Sequence, residues 1–179
     1  MITILSPAKK LDKKVHSPTD DYTYPDFLED SRLLVEVLRK YSPDELVQLM
    51  DVSRKIADLN YERFARWHTP FHPDNASRAV MLFNGQVFQG LKAEEMARED
   101  LLFSQTHLRI LSGLYGILRP LDLIQPYRLE MGTKMANPRG KDLYAFWGER
   151  ITRHINEAIK GHENGVLINL ASNEYFSSI

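Results

Sequence analysis

The sequence predicts an α/β fold in a single domain, a central mixed sheet with flanking helices. Three observations carry that expectation. Short apolar runs at residues 1–5, 79–83 and 166–170 read as buried strands. Longer stretches of helical periodicity separate them, an alternation that builds helices against a sheet. The 179 residues suit one core, and no repeat, low-complexity tract or linker divides them.

Taken in order, residues 1–5 form a strand stopped by Ser6-Pro7, and residues 8–25, polar and broken by Pro18 and Pro25, form a long surface loop. Leu28, Leu33, Leu34, Val35 and Leu38 recur at helical spacing. Ser42-Pro43-Asp44-Glu45 starts a second helix, with Ser42 as cap, Pro43 at the first position and Glu45 closing a capping box. A third helix spans 53–67, ended by Thr69-Pro70. Residues 79–83 read as a strand, 86–90 as extended and 93–108 as one helix. Residues 108–118 suit a strand but are punctuated by Gly113 and Gly116. An apolar stripe from Leu143 to Ile159 marks one helix over 142–160, with Gly161 at its C-cap. After the strand at 166–170 the chain stops with no further helix, yet carries Tyr175, Phe176 and Ile179. Terminal apolar residues usually pack against something, so the chain is expected to lack the C-terminal part of a longer protein.

Composition narrows the chemistry. The formal net charge is -1, so any polyanionic partner must be held by a local patch. With no cysteine, disulfides, thiolate metal sites and cysteine nucleophiles are excluded. The amino-terminal apolar run is too short for a signal peptide or a membrane span, which points to the cytoplasm and away from a membrane. His68 and His72 stand four apart, but Pro70 interrupts the helix a zinc pair needs and no third ligand is evident, so no metal site is expected. Neither a dinucleotide fingerprint nor a Walker loop is present, and no cofactor is expected. Ser6, Ser112 and Ser172 follow apolar runs without the glycines of a nucleophile elbow. No complete catalytic set is visible.

One constellation remains. Arg109, Arg119, Arg128, Lys134, Arg139 and Lys141 are opposed in their span only by Asp122 and Glu130. Gly113 and Gly116 allow close backbone approach, and Tyr115, Tyr127 and Tyr144 offer flat faces. Guanidinium forks and glycine-rich turns suit phosphate; a set of solvated charges and turn glycines is the alternative. Residues 111–118 have some character of a helix–hairpin–helix turn, with glycines three apart where that turn has them two apart; a plain structural turn stands beside it. Lys9, after the first strand, is a further phosphate ligand or simply an exposed lysine.

These segments resemble the YaaA family of bacterial peroxide-stress proteins. The likeness rests on Ser6-Pro7-Ala8-Lys9 and on Asn84-Gly85 with Gly90-Leu91. It is denser in the run 108–122, Leu-Arg-Ile-Leu-Ser-Gly-Leu-Tyr-Gly-Ile-Leu-Arg-Pro-Leu-Asp, and in 126–132, Pro-Tyr-Arg-Leu-Glu-Met-Gly. Residues 139–144, 146–148, 169–172 and 174–175 complete it. The resemblance implies an unusual mixed α/β fold with a basic cleft and a helix–hairpin–helix element, DNA binding, and protection from hydrogen peroxide by limiting free intracellular iron. It also implies a chain that continues further. The leading expectation is a protein that binds DNA, double-stranded or structured, by backbone charge and not by sequence. Lys9, Arg109, Arg119, Arg128, Lys134, Arg139 and Lys141 would meet phosphates, with Gly113 and Gly116 at the approach. The alternative is an enzyme acting on a nucleotide or nucleobase in the same basic pocket.

Overall fold

The computed structural model describes residues 1–12 and 17–179; part of the expected 8–25 loop therefore lies outside the described residues. Strand β1 (Ile2–Leu5) is followed by α1 (Leu28–Leu38), α2 (Pro43–Met50) and α3 (Arg54–Arg66). The capping box at α2 forms as its sequence dictates: Ser42 Oγ accepts from the Glu45 amide, and the Glu45 carboxylate accepts from the Ser42 amide at 2.8 Å. The short strand β2 (Ser77–Arg78) leads into α4 (Ala79–Leu82), and α5 (Gln86–Leu91) follows.

These last two elements correct the sequence reading. Residues 79–83 are apolar all round, and periodicity cannot separate a buried strand from a buried helical turn. The Ala79 and Val80 amides donate to the carbonyls of Asp122 and Pro120, not to a strand ladder. Residues 86–90 are helical, ending at Lys92 with φ 51°. The single helix expected over 93–108 is a 3-10 turn at Ala93–Glu95 and then α6 (Arg98–His107).

Strands β3 (Leu108–Ser112) and β4 (Gly116–Leu118) form an antiparallel hairpin, with Ile110 opposite Leu118 and Ser112 opposite Gly116. The 111–118 segment is therefore a β-hairpin, and the helix–hairpin–helix character expected there is corrected. Its buried, apolar residues pair across strands, where a helical hairpin would leave the backbone amides of its turn free for phosphate. Strand β5 (Leu123–Ile124) pairs with β2. Helix α7 (Leu143–Trp147) and helix α8 (Arg150–Lys160) replace the one long helix expected, because Gly148, at φ 50° and ψ −130°, breaks the run. The chain continues through β6 (Leu167–Asn169) to α9 (Asn173–Phe176), a helix the sequence reading missed.

The main sheet runs β4-β3-β1-β6 and is mixed, as expected: β1 is parallel to both β3 and β6, and only the hairpin is antiparallel. Its core is aromatic, with Trp147, Tyr115, Phe64, Phe71 and Phe146 fully buried. The Tyr115 hydroxyl accepts from Trp67 Nε1 and the Gln125 amide, both at 3.1 Å, and donates to the Gln125 carbonyl. A phenol this buried is stable only when bonded in this way, and burial pushes its pKa well up. Strand β6 differs from the buried strand expected. It pairs only with β1, and Val166, Ile168 and Leu170 are exposed.

Candidate functional site

The parallel strands β1 and β6 end side by side, and in open sheets ligands gather beyond such carboxyl ends. Here Ser6 follows β1 and Ser172 follows β6. The Ser172 amide donates to Ser6 Oγ at 2.9 Å, and the two hydroxyls lie 3.3 Å apart. They open a cavity of about 200 Å³ that also takes in Lys9, Arg128, Glu130 and Glu174.

The opposite wall has a simple sequence origin. Residues 126–136 alternate: Tyr127, Leu129, Met131, Thr133 and Met135 are buried, while Arg128, Glu130, Gly132 and Lys134 lie on the solvent side. Period-two alternation puts the polar members on one face. The wall is anchored by Tyr127, whose hydroxyl lies 2.6 Å from Ser112 Oγ, and by Glu174, which accepts from the Gly132 amide at 2.8 Å. Ser112 is thereby committed to the interior.

Two further depressions adjoin the first. One of about 350 Å³ shares Ser6, Pro7, Ala8 and Lys9 with it and adds Lys10, Val87 and Leu170. The other, about 700 Å³, shares Arg128, Glu130 and Glu174 and adds Asp51 and Lys134. Together they make one furrow bearing Lys9, Lys10, Arg128 and Lys134. Within it, Glu130 Oε1 bridges Lys9 Nζ at 3.3 Å and Arg128 Nη2 at 2.8 Å.

The remaining basic residues lie elsewhere. Arg109, second in β3, is 7% exposed, and its Nη1 donates to the carbonyls of Gln105 and Leu108. Burial pulls its pKa down. Arg119 follows β4, beside the start of β3. It donates to Asp122 Oδ1 at 3.2 Å, to Asp26 Oδ1 at 3.1 Å and to the Tyr24 carbonyl at 2.7 Å. Both arginines are at the amino end of β3, across the sheet from the furrow, and they serve the fold there. Burial pushes the Asp122 carboxyl up, against the pull of Arg119.

Arg139 pairs with Asp30 and covers the Phe146 ring at 4.4 Å. Lys141 is exposed and lines none of the three depressions. Gly113 and Gly116 are buried, so neither meets a ligand. A Cβ at Gly113 would lie 2.3 Å from the Leu129 carbonyl oxygen, and one at Gly116 2.8 Å from the Trp147 ring. Close packing, not phosphate approach, is what these glycines allow.

Of the predicted residues, then, the structure brings Lys9, Arg128 and Lys134 together and places Arg109, Arg119, Arg139, Lys141, Gly113 and Gly116 outside. The sequence reading missed Lys10, Glu174 and the Ser6–Ser172 pair. The alternation over 126–136 was a readable signal for the wall; Ser6 and Ser172 were each marked by the apolar run before them, but nothing paired them, 166 residues apart. His68 Nδ1 lies 2.8 Å from the Arg66 carbonyl and Nε2 3.3 Å from Asn75 Nδ2. No group of three potential metal ligands is found among the described residues, and no helix among them is long and apolar enough to cross a membrane.

Comparison with known proteins places this geometry in a family. The chain is 54% identical over 184 residues to a UPF0246 protein of Azoarcus sp., covering all of this chain and 70% of that protein. It is 55% identical over 179 residues to a UPF0246 protein of Alteromonas mediterranea, again covering all of this chain and 69% of that one. A UPF0246 protein of Burkholderia cenocepacia is 52% identical over 181 residues, with 100% and 70% covered. The family model described as peroxide stress protein YaaA matches residues 1–179, and the chain belongs to that family, with a role in peroxide stress.

Proposed function

We propose that this peroxide-stress protein binds DNA by its backbone, along the furrow at the carboxyl ends of β1 and β6. The observation that carries this reading is the continuity of the three depressions, whose shared walls hold Lys9, Lys10, Arg128 and Lys134. Adjoining depressions with cations spaced along their shared walls suit a polyanionic strand better than a compact ligand. The furrow also contains Glu130, Glu174 and Asp51, so the attraction is local and moderate. Single-stranded or locally opened DNA fits such a furrow more readily than a rigid duplex. Protecting DNA in this way, with the accompanying limit on free iron, is the role proposed within the peroxide response.

The test is a fluorescence-anisotropy titration of a single-stranded oligonucleotide at several salt concentrations. Affinity is expected to fall with a log–log slope of about −0.7 for each phosphate engaged, so three to four contacts give roughly −2 to −3. An affinity that does not change with salt rejects the mechanism.

A second reading, an enzyme acting on a nucleotide or nucleobase, is favoured by one observation. The smallest of the three depressions brings two hydroxyls, Lys9 and two carboxylates together, a collection suited to proton transfer. Thermal stabilisation by a mononucleotide but not by an oligonucleotide would favour it.

A further inference from the structure

The contact at the centre of the furrow is incomplete in an informative way. Arg128 donates through Nη2 to Glu130 Oε1, while its Nε is buried with no hydrogen-bond partner among the described residues. Nε and Nη2 lie on the same edge of the guanidinium plane, the edge that grips an oxyanion with two parallel bonds. Glu130 takes only one of them. Its Oε1 is at the same time ion-paired with Lys9 Nζ at 3.3 Å, so a single carboxylate oxygen serves two cations and leaves a third donor unmet. Buried donors are rarely left so without a reason; Arg109 Nε and Arg139 Nη1 are unmet as well, but of these three arginines it is Arg128 that lines the furrow.

We infer that Lys9 and Arg128 form the seat of a terminal phosphate, a phosphate monoester, and that Glu130 is its stand-in until the ligand arrives. The seat offers three donors, Lys9 Nζ, Arg128 Nη2 and Arg128 Nε, and two positive charges. A phosphate monoester brings three free oxygens and a charge between −1.5 and −2. An internal phosphodiester brings two free oxygens and one charge, no more charge than the carboxylate it must displace. The exchange of Glu130 for phosphate therefore selects strand ends over strand interiors. The inference rests on the furrow reading and adds to it the chemical group held at its centre.

The experiment compares two single-stranded oligonucleotides of one sequence, one with a 5′-phosphate and one with a 5′-hydroxyl, each labelled at the 3′ end, by fluorescence anisotropy. The wild-type protein is expected to bind the phosphorylated strand about tenfold more tightly, as a charge-assisted bidentate contact implies. Arg128→Lys, which keeps the charge but loses the fork, should bring the two affinities together. Lys9→Ala, at a side chain 67% exposed and so safe for folding, should weaken the phosphorylated strand selectively. Glu130→Gln removes the competing charge and should tighten both strands while narrowing the gap between them. Equal wild-type affinities, or a preference that survives Arg128→Lys in a protein with normal melting, overturn the end seat while the furrow reading stands. Binding of neither strand by the wild type removes both.

Discussion

His154 on α8 lies 3.4 Å from the Asp26 carboxylate, with its ring 5.5 Å from that of Phe27. Burial lowers its pKa, and the nearby Arg109 and Arg119 act in the same direction, against Asp26. The folded protein therefore holds this imidazole neutral at a pH where the unfolded chain, titrating near 6.5, has begun to take up a proton. Where the unfolded state binds more protons, stability falls as pH falls. Urea unfolding is thus expected to show a loss of stability between pH 7 and pH 5.5, and His154→Gln should lose less over the same interval. Equal losses in the two proteins would exclude His154 as the cause.

The division between α7 and α8 is set by one residue. Gly148 has φ 50° with no atom closer than 3.9 Å to a would-be Cβ, whereas Gly161 has φ −75° and similar room. Space is therefore not at issue at either position, and backbone conformation alone separates them. Gly148→Ala should cost about 1–3 kcal/mol, and Gly161→Ala close to nothing, by chemical denaturation. Comparable losses would mean that φ is not what sets the break.

Elements whose own sequence contains the signal were legible: the capping box of α2, the strand β1 before Ser6-Pro7, and the stripe of α8. Those decided by what surrounds them were not. The apolar run 79–83 takes its form from the 120–122 carbonyls. The break at Gly148, within the stripe, depends on a dihedral angle that composition does not encode.

Across the whole molecule, the cations treated as one cluster in sequence divide between the two ends of the sheet. A strand rises about 3.3 Å per residue, so the three steps of β3 from Arg109 to Ser112 set Arg109 and Arg119 roughly 10 Å from the carboxyl end of the sheet. Sequence proximity placed them with Arg128 because a hairpin and a turn, invisible to charge counting, reverse the chain between them. The contrast gives a paired prediction. Lys134→Ala should weaken DNA binding about uniformly across sequences and reduce the salt slope by about 0.7, leaving stability unchanged. Arg119→Ala takes the guanidinium from the carboxylate of Asp122, which is 1% exposed and keeps the Thr23 hydroxyl and the amide of residue 119 as donors. It should cost about 3 kcal/mol of stability without changing the affinity of the folded protein. Loss of binding in Arg119→Ala at full folding would return that arginine to the interface.

The Ser6–Ser172 contact joins β1 to β6, across 166 residues. Contacts so distant in the chain carry a large loop-closure entropy and form slowly. During synthesis, a ribosome-bound chain carries Lys9, Lys10 and the 126–136 wall well before β6 has emerged to stand beside β1. A growing polypeptide therefore lacks one wall of the proposed binding furrow until β6 docks beside β1.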